Sequence, residues 1–204
     1  MAARSQSIIL ASASPVRREL LERAGLVFDV EVSGVDEKVV REALADEASG
    51  VEPGDLAEVL ARAKAEDVAR MVDADIVIGA DQVLSMDGVS YAKAESISEA
   101  RRQLLAFKGK AHQLHTAVAI VKNGTFAWAH IEVVTIRMRD YSSAFVGKYL
   151  AAAGDEVLQS VGCYQLEGLG VQLIDAVEGD YFSVLGLPLF ALLAELRREG
   201  VIAT

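Results

Sequence analysis

Residues Ile76-Val77-Ile78-Gly79-Ala80-Asp81-Gln82-Val83-Leu84 restrict this chain more than any other stretch. Four apolar residues and a glycine deliver a single carboxylate, and Val83 and Leu84 then carry the chain onward. The pattern predicts a buried strand that ends on an acid. In α/β sheets the ends of strands are where ligands sit. Asp81 is therefore either an ordinary turn residue or a group that meets a ligand, and the stretch alone does not choose between them.

The rest of the chain narrows the choice. With 204 residues, 52% of them hydrophobic, there is enough apolar surface for one large domain or for two lobes that share a sheet. Thirty acidic against 20 basic residues give a net charge of -10. That balance argues against nucleic acid, whose binding needs a basic footprint. Phosphate ligands remain open where lysine, arginine or a divalent metal gathers locally. The single Cys163 excludes an internal disulfide framework and fits a reducing compartment. The lead from Met1 to Ser7 runs into Ile8-Ile9-Leu10, an apolar run too short for a signal peptide or a membrane span. A soluble, cytoplasmic protein with no membrane partner is expected.

Read in order, the chain alternates between strand and helix. Ser7 to Ala11 predicts a first buried strand. Ser14 then supplies an N-cap and Pro15 a first helical residue. Val16, Leu20, Leu21 and Ala24 make the apolar stripe of the helix, and Gly25 closes it. A strand, a small-residue loop (Ser12-Ala13-Ser14) and a helix N-terminus together favour phosphate. Arg17 and Arg18 fall in the first turn, where the helix dipole disfavours cations. They are either solvated or face an anion. Val27 to Val32 alternates and predicts a second strand, broken at Ser33 to Lys38 by the adjacent carboxylates Asp36 and Glu37. Paired acids at a strand end can hold a divalent cation, although a solvated turn is the commoner outcome.

Glu52-Pro53-Gly54-Asp55 announces a helix from Leu56 to about Val72. Lys64 lies beside its apolar face, placed either to reach a cleft or to snorkel outward. After the Asp81 strand, a turn at Met86 to Val89 leads to a short return strand and Lys93. Ser96 to Glu99 has capping-box spacing for a helix to Phe107. Strands from His112 to Val121 and from Phe126 to Met138 flank Asn123-Gly124, a hairpin signal. A helix capped at Tyr141-Ser142-Ser143, a strand from Val171 to Val177 and a final helix from Leu189 to Glu199 complete the chain. The three histidines, His112, His115 and His130, lack metal-ligand spacing and are read as structural. The order of elements gives an α/β fold: a long mixed β-sheet flanked by helices, two-lobed around a central cleft.

At this point the segments together resemble the Maf family of nucleoside triphosphate pyrophosphatases. The resemblance runs from Ile8 to about Gly200. It rests on Leu10-Ala11-Ser12-Ala13-Ser14-Pro15 with Arg17-Arg18-Glu19-Leu20-Leu21, on Val35-Asp36-Glu37 and on Ala61-Arg62-Ala63-Lys64-Ala65. Gly79-Ala80-Asp81-Gln82-Val83 follows, then Gly109-Lys110-Ala111-His112 with Thr116. Glu167-Gly168-Leu169-Gly170, Gly179-Asp180-Tyr181 and Gly186-Leu187-Pro188-Leu189 complete the set. Each piece is weak alone, and their shared order and spacing are specific.

The resemblance implies a single Maf-like domain over residues 1–204, two-lobed and similar to inosine triphosphatase, often dimeric. It implies cleavage of nucleoside triphosphates to monophosphate and pyrophosphate with Mg²⁺ or Mn²⁺. It places the catalytic aspartate on Asp81, shares the metal between Asp81 and Glu37, and puts Lys64 and Lys93 beside them. Substrate contacts fall on Ser12, Ser14, Val16, Arg17, Gln82 and Glu167. Members that prefer dTTP and UTP carry Arg after the Ser-Pro, Thr after the aspartate and Gln before the final Gly-x-Gly, whereas the 7-methyl-GTP type carries Trp, Gln and Glu there. This chain has Val16, Gln82 and Glu167, so two of the three match the 7-methyl-GTP type. A carboxylate at Glu167 suits the N1 and N2 protons of guanine. Val16 departs from the pattern, since it cannot stack on a cationic base as Trp does. Lys93-Ala94 replaces the usual Lys-Pro, and Ser160 stands where the pyrimidine type has Lys. The resemblance leaves two alternatives: a dTTP/UTP pyrophosphatase, or a nucleotide-binding regulator of cell division and septum formation with little catalysis.

Overall fold

The protein is described here from a computed structural model covering residues 6–45 and 51–203. Residues 1–5 of the N-terminal lead lie outside the described residues. In chain order the elements are β1 (Ile8–Ala11), α1 (Pro15–Arg23), β2 (Asp29–Val30), α2 (Glu37–Ala45), α3 (Pro53–Met71), β3 (Ile76–Met86), β4 (Val89–Tyr91), α4 (Ile97–Phe107), β5 (Ala111–Lys122), β6 (Thr125–Met138), α5 (Ser143–Ala153), β7 (Ile174–Glu178), α6 (Tyr181–Val184) and α7 (Leu189–Arg198). Short 3₁₀ turns fill Gly154–Gln159, Val161–Cys163 and Leu169–Leu173.

One seven-stranded sheet, ordered β2-β1-β3-β5-β6-β7 with β4 on the edge of β3, carries the fold. β1 pairs parallel with both β2 and β3, and every other pairing is antiparallel. The sheet is mixed, as the hairpin signal predicts. Asn123 sits at positive φ in the β5–β6 turn, beside Gly124.

β3 is the axis of the molecule, and it does not end on Asp81 as expected: pairing with β5 carries the strand past the acid to Met86, so Asp81 sits in mid-strand. Ten of its eleven residues are buried, as expected of a strand covered on both faces. Its odd positions face α3: Val77 and Val83 pack with α3 residues, and Gly79 points at Ala61 and Ala65. Its even positions face the other way: Ile76, Ile78 and Ala80 join Leu20 and Leu21 of α1 and Leu192 and Leu196 of α7. Further along, Leu84 and Met86 enter a separate core with Phe107, Ile136, Tyr149 and Tyr164.

Two further local expectations are corrected, and two helices are added that the sequence reading did not assign. The strand expected over Val27–Val32 shrinks to Asp29–Val30, because only Ile9 and Leu10 of β1 offer it partners. Residues 37–45, given no element beyond the turn at Ser33 to Lys38, form α2. Asp36 Oδ1 caps it by accepting from the backbone N–H groups of Lys38 and Val39 at 2.9 and 3.2 Å, and Val40 and Leu44 pack beneath. The strand expected from Val171 starts only at Ile174, since Leu169–Leu173 winds into a 3₁₀ turn. Tyr181–Val184 is a short helix capped by Asp180, which accepts from Ser183 N–H at 2.7 Å.

Two of the histidines stabilise the fold in one charge state. His112 lies buried among Phe107 and Tyr164, with Nε2 2.7 Å from the Tyr164 hydroxyl. Its buried Nδ1 has no hydrogen-bond partner, so protonation there would strand an N–H in the core. Burial accordingly lowers its pKa from 6.5 to about 4. His115, 2.9 Å from Ser85 Oγ, is lowered by burial as well, against the opposing charge of Glu52. A depressed histidine stabilises the fold fully above its unfolded pKa and loses that stabilisation as pH falls towards the folded one. The thermal midpoint should therefore drop between pH 6.5 and about 4, with His112 contributing about 3 kcal/mol of the loss. His112→Gln, which keeps a partner for Tyr164 and cannot titrate, should flatten that slope in calorimetry. An unchanged slope would put the titration elsewhere.

Among the described residues no helix is long and apolar enough to cross a membrane.

Candidate active site

The site begins with a change of partner along β3. Ile76 to Gly79 pair with β1, and Leu84 to Met86 pair with β4 on the same edge. Between them Ala80 to Val83 have no ladder partner on that side, because β1 has ended at Ala11 and the chain has turned into α1. On the other edge β5 holds Asp81 opposite Ala117 and Gln82 opposite Thr116. A sheet interrupted in this way opens a crevice at the carboxyl ends of its parallel strands. A cavity of about 640 Å³ occupies it. All ten residues singled out above line it: Ser12, Ser14, Val16, Arg17, Glu37, Lys64, Asp81, Gln82, Lys93 and Glu167.

Small residues set the distance that matters most. α3 lies so close to β3 that a Cβ on Gly79 would fall 2.1 Å from the Ala61 carbonyl oxygen and 2.8 Å from the Ala65 nitrogen. Ala61 and Ala65, one turn apart, are both fully buried. Lys64 lies between them on the helix, and the close approach brings its Nζ within 2.6 Å of Asp81 Oδ1 and 2.6 Å of Glu37 Oε1. Of the two readings given for Lys64, reaching into the cleft is the one realised. Asp81 is 4% exposed, and a carboxylate so placed requires a charged partner. Its other oxygen, Oδ2, is buried without a hydrogen bond. Arg41 of α2 approaches that oxygen at 3.7 Å, longer than a hydrogen bond.

Burial alone would raise the pKa of Glu37. The bonded Lys64 ammonium, with Lys93 and Arg41 nearby, outweighs it and holds the carboxyl below the usual range. At the rim, Lys93 is drawn downward, chiefly by the hydration lost on its protein side; Arg17 and Lys64 act in the same direction against Glu37 and Asp81.

The two arginines at the start of α1 separate. Arg18 pairs with Glu22 at 2.7 Å on the solvent side. Arg17 turns inward, and burial lowers its pKa against the pull of Asp81 and Glu37. Its guanidinium donates to the Ala80 carbonyl at 2.7 Å, to the Gly186 carbonyl at 2.7 Å and to Ser12 Oγ at 3.3 Å. Arg17 thus supplies the bond that β3 lacks at its open edge and ties it to the loop before α7. Much of its five-donor fork is committed to the scaffold.

The serines divide similarly. Ser14 Oγ caps α1 through Arg17 N–H, a cap whose loss typically costs ~1 kcal/mol. Ser12 Oγ accepts from Ser14 N–H at 3.2 Å and from Arg17. With both acceptor sites filled, its hydroxyl proton is the part free to donate. Gln82 Nε2 donates to Thr116 Oγ1 and to the Ser183 and Val184 carbonyls at 2.9, 2.9 and 3.2 Å. What Gln82 presents to a ligand is its amide oxygen. Glu167 is exposed at the mouth, where it and Val16 also border a second cavity, about 530 Å³, lined by Tyr181, Phe182 and Leu185.

Arg41 is a charged cleft residue that sequence reasoning missed, as it did Glu156, Gln159, Tyr164 and Gln165 on the same lining. The available signal was the four-residue spacing of Glu37 and Arg41 on one helix face, with Val40 and Leu44 on the next, behind an Asp36 cap.

Fold and cleft together define an α/β protein with a cavity at a partner switch in the sheet, where Asp81, Lys64, Glu37 and Arg41 gather on one side. The chain belongs to the Maf-like protein family, whose sequence model matches residues 7–199. It is 45% identical over 195 residues to a 7-methyl-GTP pyrophosphatase of Brucella suis, covering 96% of this chain and 97% of that protein. A 7-methyl-GTP pyrophosphatase of Rhizobium meliloti is 44% identical with the same coverage. A nucleoside triphosphate pyrophosphatase of Paramagnetospirillum magneticum is 46% identical over 192 residues, covering 94% of this chain and 98% of that protein.

Proposed function

We propose that this protein hydrolyses nucleoside triphosphates to a nucleoside monophosphate and pyrophosphate, and that its preferred base is a guanine, 7-methylated guanine above all. The observation that carries the reading is the pair of carboxylates, Asp81 and Glu37, bridged by Lys64 at the break in the sheet. Asp81 orients a water and takes its proton as the water oxygen attacks phosphorus. The phosphoanhydride bond breaks, and its electrons leave with pyrophosphate. Lys64 and Lys93 offset the charge that builds on the leaving oxygens, and the Ser12 hydroxyl donates to a phosphate oxygen. Glu167 accepts from the guanine edge, and the Gln82 amide oxygen offers a second acceptor.

A divalent metal belongs to this reading. Among the described residues no cluster of three or more ligating side chains occurs. The donor set still suits Mg²⁺ or Mn²⁺, which commonly bind through one or two carboxylates completed by substrate phosphates. The unbonded Asp81 Oδ2 and the neighbouring Glu37 are the oxygens that would hold it. When bound it would polarise phosphoryl oxygens as a Lewis acid. The homodimer and the cytoplasmic location rest on the family resemblance and on cysteine usage, and sedimentation equilibrium decides the first.

The test is a panel of 7-methyl-GTP, GTP, UTP and dTTP with Mg²⁺ or Mn²⁺, scoring monophosphate and pyrophosphate. Turnover of no nucleotide would favour a binding protein over an enzyme. Glu167→Gln exchanges an acceptor-only group for an amide and should move the kcat/KM ratio of 7-methyl-GTP to UTP about tenfold towards UTP. An unchanged ratio would remove Glu167 from base reading.

A further inference from the structure

We propose that Arg41 is a substrate-binding residue that leaves Asp81 and grips the pyrophosphate end of the nucleotide. This rests on the reading of the cleft as a triphosphate site, and three observations carry it.

The first is the set of commitments among the cleft cations. Arg17 spends its guanidinium on Ala80, Gly186 and Ser12. Lys64 is bonded at 2.6 Å to both carboxylates. Arg41 differs, because its ion pair with Asp81 Oδ2 is 3.7 Å long and Oδ2 gains no hydrogen bond from it. A guanidinium held by charge alone gives up little on exchanging a carboxylate for a phosphate, and its planar fork matches two phosphate oxygens at once.

The second is its mounting. α2 presents Glu37 and Arg41, one turn apart, to the cleft. It rests on Val40 and Leu44 against the α3 core, while Val39 and Lys38 face solvent. A short helix on two apolar contacts is able to shift by the small distance that this exchange needs.

The third is direction. Val16 and Glu167 lie together at the mouth shared with the second cavity, on the α1 and α6 side of the sheet. Glu37, Lys64 and Arg41 lie on the α3 side. A nucleotide whose base meets Glu167 sends its terminal phosphates towards Arg41.

The experiment is isothermal calorimetry with inorganic pyrophosphate and, separately, with guanosine monophosphate, at fixed Mg²⁺, on the full chain and on Arg41→Gln, Arg41→Lys and Lys38→Gln. Lys38 lies on the same helix with its side chain 82% exposed, so it controls for charge. Arg41→Gln should weaken pyrophosphate binding about 10–100-fold and leave monophosphate binding within twofold. Arg41→Lys should recover part of the loss, and Lys38→Gln should match the parent. Equal loss for both ligands, or unchanged pyrophosphate affinity in Arg41→Gln, overturns the assignment. Failure of the pyrophosphatase reading is seen separately, as a parent chain that releases no pyrophosphate from any nucleotide, whatever the Arg41 variants bind.

Discussion

Asp81→Asn should lower turnover by about 10²–10⁴-fold, the range over which a positioned general base contributes. The substitution keeps the size of the side chain and an oxygen able to accept from Lys64, so the fold should survive. Pyrophosphate release at saturating nucleotide gives the rate, and the thermal midpoint checks the fold. A rate within tenfold of the parent would remove Asp81 from proton transfer and leave it as the counter-charge of Lys64. The sharpness of this test comes from the burial of Asp81 between α3 and β5, which leaves the amide nothing else to do.

Among the described glycines, Gly79→Ala should be the most damaging addition of a methyl group. The new carbon would stand 2.1 Å from the Ala61 carbonyl oxygen and within 3 Å of Ala65. Both obstacles belong to a helix and cannot swing aside as a side-chain tip would. Overpacking of this kind costs about 3 kcal/mol or more, which for a chain of this size lowers the melting temperature by roughly 6–12 °C. It should also reduce activity in the fraction that folds, because a displaced α3 carries Lys64 away from Asp81. A melting temperature within 2 °C of the parent would mean that α3 can move off the sheet freely, and that the small residues at 61, 65 and 79 do not set the Lys64–Asp81 distance.

Much of this was legible in the sequence, and for identifiable reasons. The Asp81 strand, the Ser14-Pro15 helix start and the β5–β6 hairpin carry strong local signals that tertiary contacts reinforce. The cleft membership of the ten chosen residues followed from the order of the motifs. Misreadings occurred where local and tertiary signals diverge. Residues 37–45 do carry a helical signal, the Val40 and Leu44 pair four residues apart, but the two leading carboxylates suggested a turn, so α2 and with it Arg41 went unread. β2 alternates over six residues and yet pairs over two, since strand length is set by the partner available. Arg17 was assigned to phosphate by position alone. Its bonds to Ala80 and Gly186 depend on residues 63 and 169 positions away, which no local pattern reveals.

The two sides of β3 differ in a way that bears on how such a protein can diverge. Asp81 turns towards α3, with Lys64, Glu37 and Arg41. Gln82, the next residue, turns the opposite way, towards α6, on the side of Val16 and Glu167. On the proposed function, a nucleotide in the gap is handled from opposite sides of one strand, its reacting end by one set and its distinguishing end by the other. Substitutions in the two sets share few contacts, so their free energies should add. Under the proposed function, selection could then retune which nucleotide is chosen by changing residues beneath α1 and α6, without disturbing the carboxylate assigned to bond cleavage.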